Sequence, residues 1–178
     1  MRRRIAKAVV VLAVALLPSG CSLGLTGGSS GSLLSESDLD LDWSQTGTSE
    51  SIFGFPCQHP DRVWERAGGE LNGRSFARDD LLRRFAQAVI RVDSADEVYA
   101  EIVEVAHQYC PHREVDGPTI GDESSWWIHD GARVSTSVLV RSGPRTIHYF
   151  VSTSFDAPLL EQEAELLDAA RRAGIDVP

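Results

Sequence analysis

Two runs decide the fold class: Arg133-Val134-Ser135-Thr136-Ser137-Val138-Leu139-Val140-Arg141 and Thr146-Ile147-His148-Tyr149-Phe150-Val151-Ser152-Thr153-Ser154. Both are rich in β-branched and aromatic residues, and both are bounded by turn residues, which is the signature of strands. Ser142-Gly143-Pro144 joins them with hairpin chemistry. A third run of the same kind, 125–129, reaches them through Asp130-Gly131. The C-terminal half therefore reads as an antiparallel meander.

Helices flank that meander. Ser94-Ala95-Asp96-Glu97 has the spacing of a capping box, and Val98, Ile102, Val105, Ala106 and Tyr109 then fall on one helical stripe. Cys110 follows at the helix end and Pro111 stops it. A second helix is expected over 158–173, with Pro158 at its start and Gly174 past its end. Its expected buried face is Leu159, Leu160, Leu166, Leu167 and Ala170.

The N-terminal half is less regular. Residues 33–39 read as a short helical turn, after which Asp38, Asp40 and Asp42 alternate with Leu39, Leu41 and Trp43. Residues 52–60 read as an extended segment carrying Phe53, Phe55 and Cys57, and 61–67 as a helical turn around Val63 and Trp64. Asn72-Gly73 marks 71–75 as a turn. The alternation over 85–92 suits a strand, although 79–88 is equally compatible with a helix. The class is α+β: an antiparallel sheet, mainly of the C-terminal strands, packed by two longer helices and carrying one disulfide.

The first twenty residues are a different kind of sequence. Arg2, Arg3, Arg4 and Lys7 precede an uncharged apolar run over 8–17, and small residues lead to Cys21. This is the layout of a secretory signal, too short to span a bilayer. The cysteine makes it resemble a bacterial lipoprotein leader, whose cleavage leaves an acylated Cys21 first. Pro18 departs from that pattern, which places a leucine-like residue three before the cysteine. Expected boundaries are 1–20 for the leader, 21–32 for a Gly/Ser-rich tether and 33–178 for a single domain.

Charge excludes some partners. The leader holds four basic residues and no acidic one, so its removal takes the formal charge from -9 to -13. Such a surface repels phosphate backbones, and no nucleic-acid partner is expected. Membrane contact is expected through the acyl anchor instead.

The remaining cysteines, Cys57 and Cys110, are expected to pair, because export exposes them to oxidising conditions. The alternative is a zinc site, since Cys57-Gln58-His59 and Cys110-Pro111-His112 repeat the same spacing. That spacing is tighter than usual for zinc, so neither metal nor cofactor is expected. Asp38, Asp40 and Asp42 open like a calcium loop, but Trp43 stands where glycine is needed and Ser49 where glutamate is. Gly27-Gly28-Ser29-Ser30-Gly31 matches a hydrolase motif in a tether that supplies neither the strand nor the helix it requires. His129 and Asp130 with Asp122 and Glu123 offer acid–base groups without a partnered nucleophile, so no catalytic residue is assigned. Trp126 and Trp127 are adjacent on a strand and point to opposite faces. One is expected in the core, and the other facing solvent, a helix or a ligand, which makes the pair the candidate ligand-binding residues.

The order of these features resembles the PknH-like sensor domain, found in actinobacterial lipoproteins and in the extracellular part of some membrane Ser/Thr kinases. Leu33-Leu34, Asp38-Leu39, Trp43 and Cys57 carry the likeness first. The 89–92 stretch running into Ser94-Ala95, then Cys110, Gly121-Asp122-Glu123-Ser124 and Val138-Leu139-Val140-Arg141-Ser142-Gly143 continue it. The resemblance implies a non-catalytic α+β domain with a groove for a small ligand or an envelope protein. Kinase sensors carry two disulfides and this domain has cysteines for one, so no functional residue is carried over. The expected function is a lipid-anchored, extracytoplasmic binding or sensor-like domain. The alternatives are a cell-envelope enzyme working on sugars or peptides through Asp/Glu/His chemistry, and a structural envelope lipoprotein.

Anchoring is directly testable. Cys21→Ala should move the protein from the membrane fraction to the medium, or leave it as uncleaved precursor. Unchanged fractionation, with a mature N-terminus at another residue, would remove the lipoprotein reading.

Overall fold

A computed structural model describes residues 32–40, 42–49, 60–78, 83–131, 133–155 and 158–178. The leader, Cys21, the glycine-serine motif, Cys57 and His59 lie outside these residues, and so does the expected Cys57–Cys110 pairing. No described helix is long and apolar enough to cross a membrane.

The strands are β1 (Trp43–Ser49), β2 (Glu70–Arg78), β3 (Arg83–Arg91), β4 (Arg113–Val115), β5 (Glu123–Asp130), β6 (Val134–Arg141) and β7 (Thr146–Ser154). They form one sheet in the order β1-β2-β3-β7-β6-β5-β4, and every pairing is antiparallel. The three helices are α1 (Asp61–Arg66), α2 (Ala95–Tyr109) and α3 (Leu159–Arg172). The sheet is two meanders, β1-β2-β3 and β4-β5-β6-β7, joined where β3 meets β7. The C-terminal strands were the legible ones, but the N-terminal half supplies three of the seven.

Alternation along the strands divides the core in two. On one face Ala86, Ala88 and Ile90 of β3 join Ile147, Tyr149 and Val151 of β7, Leu139 and Trp127, under Val98, Tyr99, Ile102 and Ala106 of α2. On the other, Phe76, Phe85, Phe150, Val138, Val140 and Trp126 pack against Leu166, Ala169 and Ala170 of α3. The N-terminal segment crosses this second face, held by buried Gln87, whose Oε1 accepts from Leu34 N at 2.7 Å. Gln162 clips α3 down in the same way, accepting from Thr136 N at 3.0 Å.

Several expectations are corrected here. Asn72-Gly73 is not a turn: it lies inside β2, with Asn72 opposite Val89 and Gly73 opposite Ala88. Pairing with strands on both sides overrides the local turn preference. The region open to two readings resolves as strand from Arg83 onward. The Ser94 capping box does not form, because the hydroxyl donates to Asp96 Oδ1 at 2.9 Å instead of taking a backbone N–H. On α2 the inward stripe is Ala95, Val98, Tyr99, Ile102 and Ala106, and Cys110 follows it at the C-cap, which leaves Tyr109 59% exposed. On α3 the first turn stands away from the sheet, so Leu160 is 78% exposed while Gln162 turns inward. Gly174 does end α3 as expected: its φ of 78° suits glycine, and Ile175 N donates back to Ala170 O at 3.0 Å.

His148 gives this core a pH dependence. It is fully buried, stacked nearly parallel on Phe150 with centroids 5.8 Å apart. Burial, and secondarily the Arg91 charge, hold its pKa down at about 4. The folded protein keeps this imidazole neutral while the unfolded chain takes up a proton below about 6.5. The stability it contributes is present above that value and lost as pH falls towards 4. We expect a loss of roughly 3 kcal/mol over that window. Glu165, whose pKa burial raises, acts with opposite sign above 4.5, so the comparison needs His148→Phe measured beside the parent. Denaturant melts should show the variant keeping what the parent loses, and equal acid losses in both would refute the assignment.

Candidate functional site

Trp126 and Trp127 do point to opposite faces, but neither faces solvent. Trp126 is 3% exposed and Trp127 1%, each inside its own core cluster. Of the surroundings expected for the second indole (solvent, a helix or a ligand), it is the helix-packed core that is observed. Trp126 is roofed by the loop before β5: its Nε1 donates to Pro118 O at 2.9 Å, and a Cβ on Gly117 would lie 2.6 Å from the ring. Trp127 meets the His112 ring edge-on at 5.5 Å. The two rings hold helix and loop onto the sheet.

The acid–base candidates are likewise tied into structure. Asp122 accepts from Gly143 N at 2.7 Å and from Arg141 at 3.3 Å, and Glu123 takes the other side of Arg141 at 3.4 Å. These groups clamp the β6–β7 turn to the start of β5. His129 sits 3.4 Å from Pro111 O, and Asp130 lies near Arg113 across the β4–β5 edge. Asp40 pairs with Arg172 and Asp42 with Arg78, while Asp38 accepts from Ser35 N, so the three acids do not converge. Among the described residues, no group of three or more His, Cys, Asp or Glu side chains could hold a metal ion.

Among the described residues several concavities remain, one of them a hollow of about 320 Å³ beside Arg91, Asp93 and Arg145. The widest, about 630 Å³, is a ledge beside β4 lined by Arg113, Glu114, Asp116, Ser124 and the edge of Trp126. Two of its charged groups are paired, in Arg113–Asp130 and His107–Glu114, and it lacks an apolar floor. The second, about 200 Å³, lies between α3 and the sheet over Trp43 and Phe85. Here Glu165, hydrogen-bonded by Ser152 and 4.0 Å from Arg83, has its pKa raised by burial. Arg78 stacks on Trp43 at 4.9 Å while pairing with Asp42 at 3.0 Å. Its ion pairs close it on themselves.

The third is a trough of about 490 Å³ on the α2 face of the sheet, beyond the end of that helix's footprint. Strand register explains it. One row across the sheet is Ser44, Ala77, Arg84, Thr153 and Ser135, and the next is Gly47, Ser75, Ala86, Val151 and Ser137. All but one of these side chains are small or medium, so the sheet surface is left low. The following row brings Tyr149 and Leu139, where the helix-covered core begins. Hydroxyls line the flanks: Thr46 meets Ser75 at 3.2 Å and Ser135 meets Thr153 at 3.0 Å. Arg84 and Arg133 stand at the open end. An apolar floor with a few convergent polar groups, in a volume of this size, is the usual form of a small-molecule site.

No family model matches the sequence, and no curated protein matches it. Among solved structures, the extracellular domain of PknH from Mycobacterium tuberculosis is similar, with a TM-score of 0.49 and 12% identity. The match covers 78% of this chain and 86% of that one. It lends no residue role to this chain.

The structural part assigned to Asp122 has a consequence. Asp122→Ala should lower stability by about 1 kcal/mol through the lost Gly143 contact, and leave any ligand binding in the trough unchanged. A loss of binding without a loss of stability would place Asp122 in a functional site instead.

Proposed function

We propose that this protein is a lipid-anchored, extracytoplasmic binding domain that works without catalysis and holds a small ligand in the trough between β2, β3 and β7. The carrying observation is the trough itself: a register-defined run of small side chains with an apolar floor, and with hydroxyl and guanidinium groups at its rim. The leader ending at Cys21 supports the anchored, exported part of the reading. Export also brings the cysteines to an oxidising compartment, and the reading includes a Cys57–Cys110 bridge tying the end of α2 to the segment before α1.

An envelope enzyme is the second reading, and one observation favours it. Glu165 is a carboxyl group with a raised pKa beside a serine hydroxyl, which is the material of acid–base chemistry. Ser152 faces the core at 1% exposure, however, and Arg83 and Glu161 crowd the approach. The pair is better suited to holding α3 on the sheet.

The test is a binding screen against envelope glycans, peptides and lipids, run on the parent and on Thr153→Trp. Thr153 is half-buried at the mouth of the trough, on a strand where a large aromatic residue is well tolerated. The variant should melt with the parent and bind at least tenfold more weakly, about 1.4 kcal/mol. Undiminished binding in the folded variant would move the site elsewhere. Turnover of a screened compound, abolished by Glu165→Gln, would favour the enzyme.

A further inference from the structure

We infer that the trough takes a single-chain anionic lipid, its head group between Arg84 and Arg133 and its acyl chain along Ala77, Ala86 and Val151. The inference rests on the proposed binding role of the trough and adds the class of ligand. It begins from charge. The chain carries -9 overall and -13 without its leader, so carboxylates are plentiful on its surface. Arg66, Arg78, Arg83, Arg113, Arg141 and Arg172 each pair with one. Arg84 and Arg133, like Arg62, Arg74, Arg91, Arg145 and Arg171, take part in no ion pair with a described carboxylate, and these two sit on one face at one end of a concavity with an apolar floor.

Their placement makes the pair useful. Arg84 is on β3 opposite Thr153, and Arg133 immediately precedes β6. Both strands flank β7, and Arg133 is level with Phe155, two residues beyond Thr153, so about 12 Å separates the two backbones and both long side chains can converge over β7. The Arg133 guanidinium lies 4.1 Å over the Phe155 ring. A cation–π contact does not itself consume the guanidinium N–H donors, which remain available to a carboxylate or phosphate. Phe155 is itself 51% exposed, an apolar surface beside the head-group position.

The other end supplies the apolar requirement. From Arg84 the floor passes inward over Ala77, Ala86 and Val151 towards the core under α2. A sugar would find few donors there, and a simple inorganic anion would leave the floor empty. An amphiphile matches both ends. A lipid-anchored protein is also held where such molecules are concentrated.

The experiment uses the full chain carrying Cys21→Ala, so that no detergent is needed, and titrates it with laurate below its micelle concentration. The comparison probes are acetate, inorganic phosphate and an uncharged alkyl glucoside of the same chain length. Laurate should bind, more weakly as salt is raised. Acetate and phosphate should not bind detectably, and the glucoside should bind at least tenfold more weakly. Arg84→Gln with Arg133→Gln, both at the rim, should cost laurate tenfold or more and leave the melting temperature unchanged. Thr153→Trp should abolish binding. If the glucoside binds as well as laurate and the arginine variant is silent, the anionic class is wrong while the trough remains the site. If laurate binds equally well to Thr153→Trp, the trough itself is wrong. Absence of laurate binding to the parent overturns the inference.

Discussion

The pairing of β3 with β7 is the contact on which the rest of the molecule depends. It runs in unbroken register from Arg83 opposite Ser154 to Arg91 opposite Thr146. It joins strands more than fifty residues apart in sequence, and without it there are two meanders, each with a bare edge. Its side chains also form the middle of both cores. Ala88, Ile90, Tyr149 and Ile147 face α2, and Phe85, Gln87, His148 and Phe150 face the other way. A one-residue slip would exchange those two sets and place Gln87 and His148 under α2. The register is therefore held by both faces at once.

Buried polar groups then position what packs on the sheet. Gln87 holds the N-terminal segment through Leu34 N and Ser32 O, and Gln162 holds α3 through Thr136 N. Tyr99 sends its hydroxyl to Ser125 at 2.9 Å, joining α2 to β5, and burial pushes its pKa up to about 12. Each contact is short, directional and surrounded by apolar packing, so each selects one placement of its element. Small side chains on β2, β3 and β7 form the base of the trough, where Ala77, Ala86 and Val151 are themselves buried, because α2 packs over β6 and β7 while the α3 face is closed by Leu34 and its neighbours.

The strongly periodic elements were legible from the sequence and the weakly periodic ones were not. β6 and β7 could be read because β-branched and aromatic residues fill both, and α2 and α3 because their punctuation was clear at Pro111, Pro158 and Gly174. β2 was misread because Asn72 and Gly73 prefer turns, and only the neighbours in the sheet decide otherwise. β4 is three residues at an edge and has no local signal. The tryptophans drew attention as large aromatic residues, yet their size is what the two cores use. The trough went unseen for the complementary reason. Ser75, Ala77 and Ala86 are unremarkable residues, and their smallness means something only once register puts them side by side.

Arg84 and Arg133 are the residues on which the proposal of a ligand rests. A surface arginine usually contributes by ion pairing, by covering apolar surface or by satisfying a helix end. Arg84 lies mid-sheet on β3, pairs with no described carboxylate, and borders a floor it leaves open. Arg133 is stacked on Phe155, a contact between two rim groups that covers none of that floor. Two like charges at one end of an apolar depression repel each other, and no ion pair with a described carboxylate offsets the repulsion. The proposed anion between them would remove that repulsion and complete the hydrogen bonding of both guanidinium groups. The cost to the empty protein is small, because water screens the charges at the open end. On the proposed reading it would turn into binding energy when a head group displaces that water.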